Sequence, residues 1–137
     1  MRAKFWIDTS FWYALFVRAD ANNAAAGNLW QSSVRLRPFF ITSNLIVAER
    51  GSLLSYRFGH GTAFRQLSFL YDSSIVSIAY SDREIEIGAL RWWERFSVQR
   101  FSHVDCVSFE FIRRLGISTA FSYDRDFTIA GFQLKKE

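Results

Sequence analysis

A chain of 137 residues, half of them apolar and 18% aromatic, can bury one substantial hydrophobic core but not two. That content excludes intrinsic disorder, and no run approaches the ~18–20 apolar residues of a membrane-spanning helix. The net charge of +4 rests mostly on arginine, whose fork matches phosphate geometry, so a polyanionic partner fits although the arginines are scattered.

With one proline, no repeat and no low-complexity linker, residues 1–137 are expected to form one domain. The lone Cys106 can form neither an internal disulfide nor a structural zinc site and fits a reducing, cytoplasmic compartment. Arg2 and Lys4 ahead of Phe5-Trp6-Ile7 imitate a signal peptide, but Asp8 interrupts the run and no small-residue cleavage site follows.

In chain order, Ala3 to Ile7 reads as a buried strand that stops at Asp8-Thr9-Ser10, residues able to cap a helix over Phe11 to Arg18. Asp20 is the expected cap of a second helix reaching about Ser33. Pro38 breaks the pattern, and Phe39 to Thr42 forms the second strand. Thr42 or Ser43 caps the next helix, which Gly59-His60-Gly61 ends, and a further helix runs from Thr62 to Tyr71. Ile75 to Ile78 is a third strand. Ser81-Asp82-Arg83-Glu84 has the form of a capping box and starts a helix toward Phe96. Ser102 with Asp105 opens another, which Gly116 stops. Thr119 to Ser122 is a fourth strand, and Phe132 to Leu134 adds a short fifth. Short apolar strands alternating with helices predict an α/β fold: a central, mainly parallel sheet of four to five strands with helices on both faces.

In such sheets the functional crevice lies beyond the carboxyl ends of the strands. Asp8 follows the first strand directly, and Asp124 lies just after the fourth. Glu49 lies one to two turns into the helix after the second strand, and Asp105 lies in the first turn of the helix before the fourth. Each acid has a structural alternative: Asp8 and Asp105 as helix caps, Glu49 with Arg50 as a solvated pair, Asp124-Arg125-Asp126 as a polar turn. Converging, however, they would repel one another without a cation, and an all-oxygen set suits Mg²⁺ or Mn²⁺. Such ions activate water for attack on phosphorus.

The motifs resemble the PIN-domain family, and within it the VapC-type toxins. The carriers are Phe5 to Leu15 around Asp8, Asp20 to Ala24, and Thr42 to Glu49. The most specific block is Phe101 to Phe109, continuing to Arg113-Arg114-Leu115-Gly116-Ile117 and joining Ala120 to Phe127. Asn23 stands where the family often has histidine. The resemblance implies catalytic and metal-holding roles for Asp8, Glu49, Asp105 and Asp124, an accessory role for Thr9 or Ser10, and a reserve role for Asp126. It further implies an RNA substrate cleaved to 3′-hydroxyl and 5′-phosphate ends, Mg²⁺ or Mn²⁺ as cofactor, a homodimer and a protein antitoxin.

Arg113, Arg114 and Arg125 are candidate phosphate contacts. His60 is read as a turn residue, His103 as a surface residue, Cys106 as core, and Trp12, Trp92 and Trp93 as core or dimer contacts. No serine-hydrolase elbow, phosphate loop or dinucleotide fingerprint is present. A phosphatase with a nucleophilic aspartate would resemble the haloacid-dehalogenase pattern, which needs an aspartate at Ser10. The other alternative is a catalytically silent PIN-fold module that binds RNA or protein; the complete acid set argues against it.

Overall fold

The computed structural model describes residues 2–136. Five strands, β1 (Lys4–Ile7), β2 (Phe39–Ser43), β3 (Val76–Ala79), β4 (Thr119–Phe121) and β5 (Gln133–Leu134), form one sheet in the order β3-β2-β1-β4-β5. Every pairing is parallel, with Phe5 opposite Phe40 on one side and Thr119 on the other. The expected α/β architecture is present.

Chain direction across the sheet reverses after β3. The path runs outward through α1 (Thr9–Phe16), α2 (Asn23–Val34), α3 (Asn44–Phe58) and α4 (His60–Asp72). It returns through α5 (Arg83–Arg95) and α6 (His103–Arg114), and α7 (Asp126–Ile129) links β4 to β5. Right-handed crossovers therefore put the first four helices on one face and α5 and α6 on the other. Side-chain alternation along β1 feeds both layers. Phe5 packs against Phe40 and Phe121 on the first face, where Trp30 of α2 and Phe11 of α1 cover them. Trp6 points the other way and stacks on Phe111 of α6 at 5.5 Å. Each fully buried ring of this kind contributes about 2 kcal/mol of apolar burial.

Several boundaries differ from the sequence reading. The second helix starts at Asn23, because the Asp20 carboxylate closes a local turn by accepting from the Asn22 N–H at 2.8 Å. Gly59 alone separates α3 from α4: at φ 89° it takes a backbone region costly for other residues, and His60 is already helical. Asp82, not Ser81, caps α5, accepting from the Ile85 N–H, while the Ser81 N–H is held by Asn44 Oδ1. The Ser102–Asp105 capping box forms as expected, with both bonds at 3.0 Å. The single turn α7 had no counterpart in the sequence reading.

Cys106, Trp12 and Trp92 are core residues, whereas Trp93 is 42% exposed. Arg50 is no solvated partner of Glu49. It is 1% exposed, stacked over Phe16, and hydrogen-bonded to Gln66 at 2.9 Å. Burial lowers its guanidinium to about 10. Among the described residues no helix is long and apolar enough to cross a membrane.

Candidate active site

The reversal of strand order falls between β1 and β4, the topological switch point at which parallel α/β sheets open a crevice. An open pocket of about 340 Å³ lies there, lined by Asp8, Glu49, Asp105 and Asp124 together with Thr9, Ser10, Tyr13, Asp20, Asn22, Leu53 and Tyr123. Four acids expected from the sequence thus share one pocket, and no lysine, arginine or histidine is among its described lining residues.

Asp8 extends β1 by one bond, its N–H donating to the Phe121 carbonyl at 3.0 Å, and then caps α1. The residue is only 5% exposed. The hydroxyls of Ser10 and Ser122 both donate to Oδ2 at 2.9 Å. Burial pushes the Asp8 carboxyl up to about 6; these hydrogen bonds offset part of the rise, and nearby Asp124 adds to it.

Asp105 is fixed by the capping box, which uses its Oδ2. Burial raises its carboxyl to about 7, opposed by the Ser102 backbone bond and reinforced by Asp8 and Asp124. Asp124 follows β4, its N–H held by Ser122 Oγ and its Oδ1 accepting the Asp126 N–H, both at 2.9 Å. Asp126 opens α7, and its carboxyl is raised by burial and by Asp124. One oxygen from each of Asp105, Asp124 and Asp126 lies within 4.8 Å of the others, so these three can hold a metal ion between them. The reserve acid therefore stands beside the main set, while Glu49 lines the pocket from the second turn of α3.

Ser122 was missed. Its only sequence signal is a hydroxyl residue closing a strand two positions before an acid, the spacing of a serine turn that holds the Asp124 N–H. Tyr13, Asp20 and Asn22 also line the pocket, although Asp20 was expected only as a helix cap and none of the three as a site residue. Asn23 ties the first two helices together through the Ala14 carbonyl at 2.9 Å.

Arg113 and Arg114 are not brought to the pocket. They sit in the last turn of α6, the end opposite Asp105, and grip the buried Glu110 at 2.7 and 2.6 Å. Burial opposes ionisation of Glu110, but these bonds and one from Trp92 Nε1 hold it down at about 2. Their charge is spent locally. Arg125 is exposed between Asp124 and Asp126 and is not in the lining. His103 is a surface residue 3.4 Å from Glu86.

The chemistry of this donor set fits a hard cation. All its donors are oxygens, and two carboxylates are driven toward protonation by burial, with no positive side chain among the described lining residues.

The family profile described as a PIN domain matches residues 6–133. The 23S rRNA-specific endonuclease VapC20 of Mycobacterium tuberculosis is 35% identical over 127 residues, covering 93% of this chain and 94% of the relative. The crystal structure of Mycobacterium tuberculosis VapC20, described as a sarcin–ricin loop cleaving toxin, superposes with a TM-score of 0.89 at 33% identity, covering 97% of this chain and 99% of that one. By its fold and by these matches, the chain belongs to the PIN-domain family.

Proposed function

We propose that the chain is a metal-dependent endoribonuclease of the VapC toxin type, acting as one nuclease domain over residues 1–137. The observation that supports this reading best is the pocket at the β1–β4 switch point, which Asp8, Glu49, Asp105 and Asp124 line with no cationic side chain among the described lining residues. These four are the catalytic and metal-holding acids, with Asp126 as a further ligand. Thr9 and Ser10 are accessory, and exposed Arg125 is a substrate-side charge.

Mg²⁺ or Mn²⁺ is the cofactor, since an oxygen-only carboxylate set suits both. A bound divalent cation supplies Lewis-acid chemistry, activating water at neutral pH and offsetting charge on the phosphodiester. The chain's own residues prepare the site. Ser10 and Ser122 pin Asp8 through Oδ2, which leaves Oδ1 outside those hydroxyl contacts. Ser102 fixes the Asp105 rotamer, and the Asp124–Asp126 turn presents two carboxylates side by side. Hydrolysis then leaves 3′-hydroxyl and 5′-phosphate ends.

The likeness to VapC20 supports structured RNA as the substrate, with the sarcin–ricin loop of 23S rRNA as the first sequence to test. From the VapC-type resemblance we further infer a protein antitoxin as partner, a homodimer as the assembly and the cytoplasm as the compartment. Purified protein should cleave this stem-loop with Mg²⁺ or Mn²⁺, and EDTA should stop it. Asp8→Asn and Asp105→Asn proteins should fold and be inactive. Undiminished cleavage in EDTA, or by both variants, refutes the reading. In cells, overexpression should arrest growth unless a small protein encoded beside the gene is co-expressed.

A further inference from the structure

Tyr13 and Arg57 bridge two helices at the rim of the acidic pocket. Tyr13 lies in α1, five residues after Asp8, and is part of the lining. Arg57 lies near the end of α3 on the row Glu49, Leu53, Arg57, whose first two members also line the pocket. Residues four apart share a helix face, so Arg57 continues that wall about 12 Å beyond Glu49. Its Nη1 donates to Tyr13 Oη at 2.9 Å, and its guanidinium sits 5.6 Å from the Tyr13 ring centroid.

Arg57 is exposed and makes no ion pair among the described residues. A hydroxyl rather than a carboxylate orients it, so it forms no ion pair there. That distinguishes it from Arg50, which is buried, and from Arg113 and Arg114, which are paired with Glu110. A cluster of carboxylates repels a polyanion, and RNA must find cationic contacts outside the cluster to settle over it.

We infer that Arg57, oriented by Tyr13, forms a subsite for a backbone phosphate of the RNA strand flanking the cleaved bond. Arg57 is the contact and Tyr13 the positioning residue. The subsite deepens the ribonuclease reading and rests on it. Because Arg57 stands well away from the acids, it governs RNA binding rather than the chemical step.

The test uses the full chain as wild type, Arg57→Ala, Arg57→Lys and Tyr13→Phe. A short fluorescein-labelled RNA reports binding by anisotropy in EDTA over a series of KCl concentrations, with thermal melts as the folding control. Arg57→Ala should weaken binding about 5- to 10-fold at low salt and flatten the log–log salt dependence by about 0.7, the loss of one single-strand phosphate contact. Arg57→Lys should recover the slope but not the full affinity, because an ammonium lacks the fork. Tyr13→Phe should keep the slope and lose about 2-fold in affinity. With Mg²⁺, Arg57→Ala should raise KM while kcat stays within about 2-fold. Unchanged affinity and slope in Arg57→Ala overturns the subsite whether or not RNA is cleaved. An equal loss in Arg57→Lys accompanied by a lower melting temperature marks a structural role and also overturns it. Loss of binding as expected, with no cleavage by the wild type in any metal, upholds Arg57 as an RNA-phosphate contact and removes the ribonuclease reading, and with it the contact's place beside a cleaved bond.

Discussion

Ser122 Oγ stands 2.9 Å from Asp8 Oδ2 and donates its hydrogen across the ends of the adjacent strands β4 and β1. The same oxygen accepts the Asp124 N–H at 2.9 Å and lies 3.0 Å from Ser10 Oγ. One small side chain therefore sets the positions of two acids. Hydroxyls orient the buried Asp8 carboxylate, and its charge is left for a ligand.

Removing that hydroxyl should act through Asp8. In Ser122→Ala the burial that raises the Asp8 carboxyl persists while one opposing hydrogen bond is lost, so its pKa rises above about 6. At subsaturating Mn²⁺, where protons compete with the cation for Asp8, the acid limb of the pH–kcat/KM profile should move to higher pH. Cleavage at neutral pH should fall about 10-fold, recovering in Ser122→Thr. A profile identical to wild type would remove Ser122 from the site.

The metal-free protein should show an inverted pH dependence of stability from its two buried acids. Asp8 and Asp105 rise from an ordinary 3.8 to about 6 and about 7 on folding. The folded state thus binds more protons than the unfolded state between about pH 4 and pH 7, and their contribution to stability declines as pH rises through that window. In EDTA at pH 8, Asp8→Asn and Asp105→Asn should each be more stable than wild type, on the order of 1–3 kcal/mol, with the gap closing near pH 4. Urea melts at the two pH values test this; a wild type more stable than both variants at pH 8 in EDTA contradicts it.

Two glycines in helices should respond oppositely to alanine. A Cβ on Gly88 would stand 2.5 Å from Glu110 Oε2, and Arg113, Arg114 and Trp92 prevent that carboxylate from swinging aside. Gly88→Ala should cost about 2–3 kcal/mol by forcing α5 away from α6. Nothing lies within 4 Å of a Cβ on Gly27 in α2, so Gly27→Ala should stabilise by about 0.5–1 kcal/mol. Melting temperatures moving in the same direction would contradict this account of the α5–α6 contact.

The acids Asp8, Glu49, Asp105 and Asp124 were legible because parallel strands appear as short apolar runs and their carboxyl ends define the crevice. Asp105 was ambiguous between cap and ligand for a physical reason: it is a cap through Oδ2 and a pocket residue at once. What the sequence concealed depends on contacts between distant segments. Ser81 and Asp82 are adjacent candidate caps, and the choice is made by Asn44, 37 positions away from Ser81. Arg113 and Arg114 looked available because only the packing of Trp92 and Gly88 on α6 buries Glu110 and draws both arginines to it. Ser122 has neither charge nor periodicity to mark it, and its role exists only once β4 lies beside β1.

Cleavage of the sarcin–ricin stem-loop by metal-stripped protein, titrated with Mn²⁺ and run beside Asp105→Asn and Asp124→Asn, is the decisive measurement of an acid-held catalytic cation. No cleavage is expected before addition, then a saturable rise with Mn²⁺ for the wild type, and folded but inactive variants. Cleavage without metal or in both variants would contradict an acid-held cation, and a wild type silent at every Mn²⁺ concentration would contradict the nuclease itself.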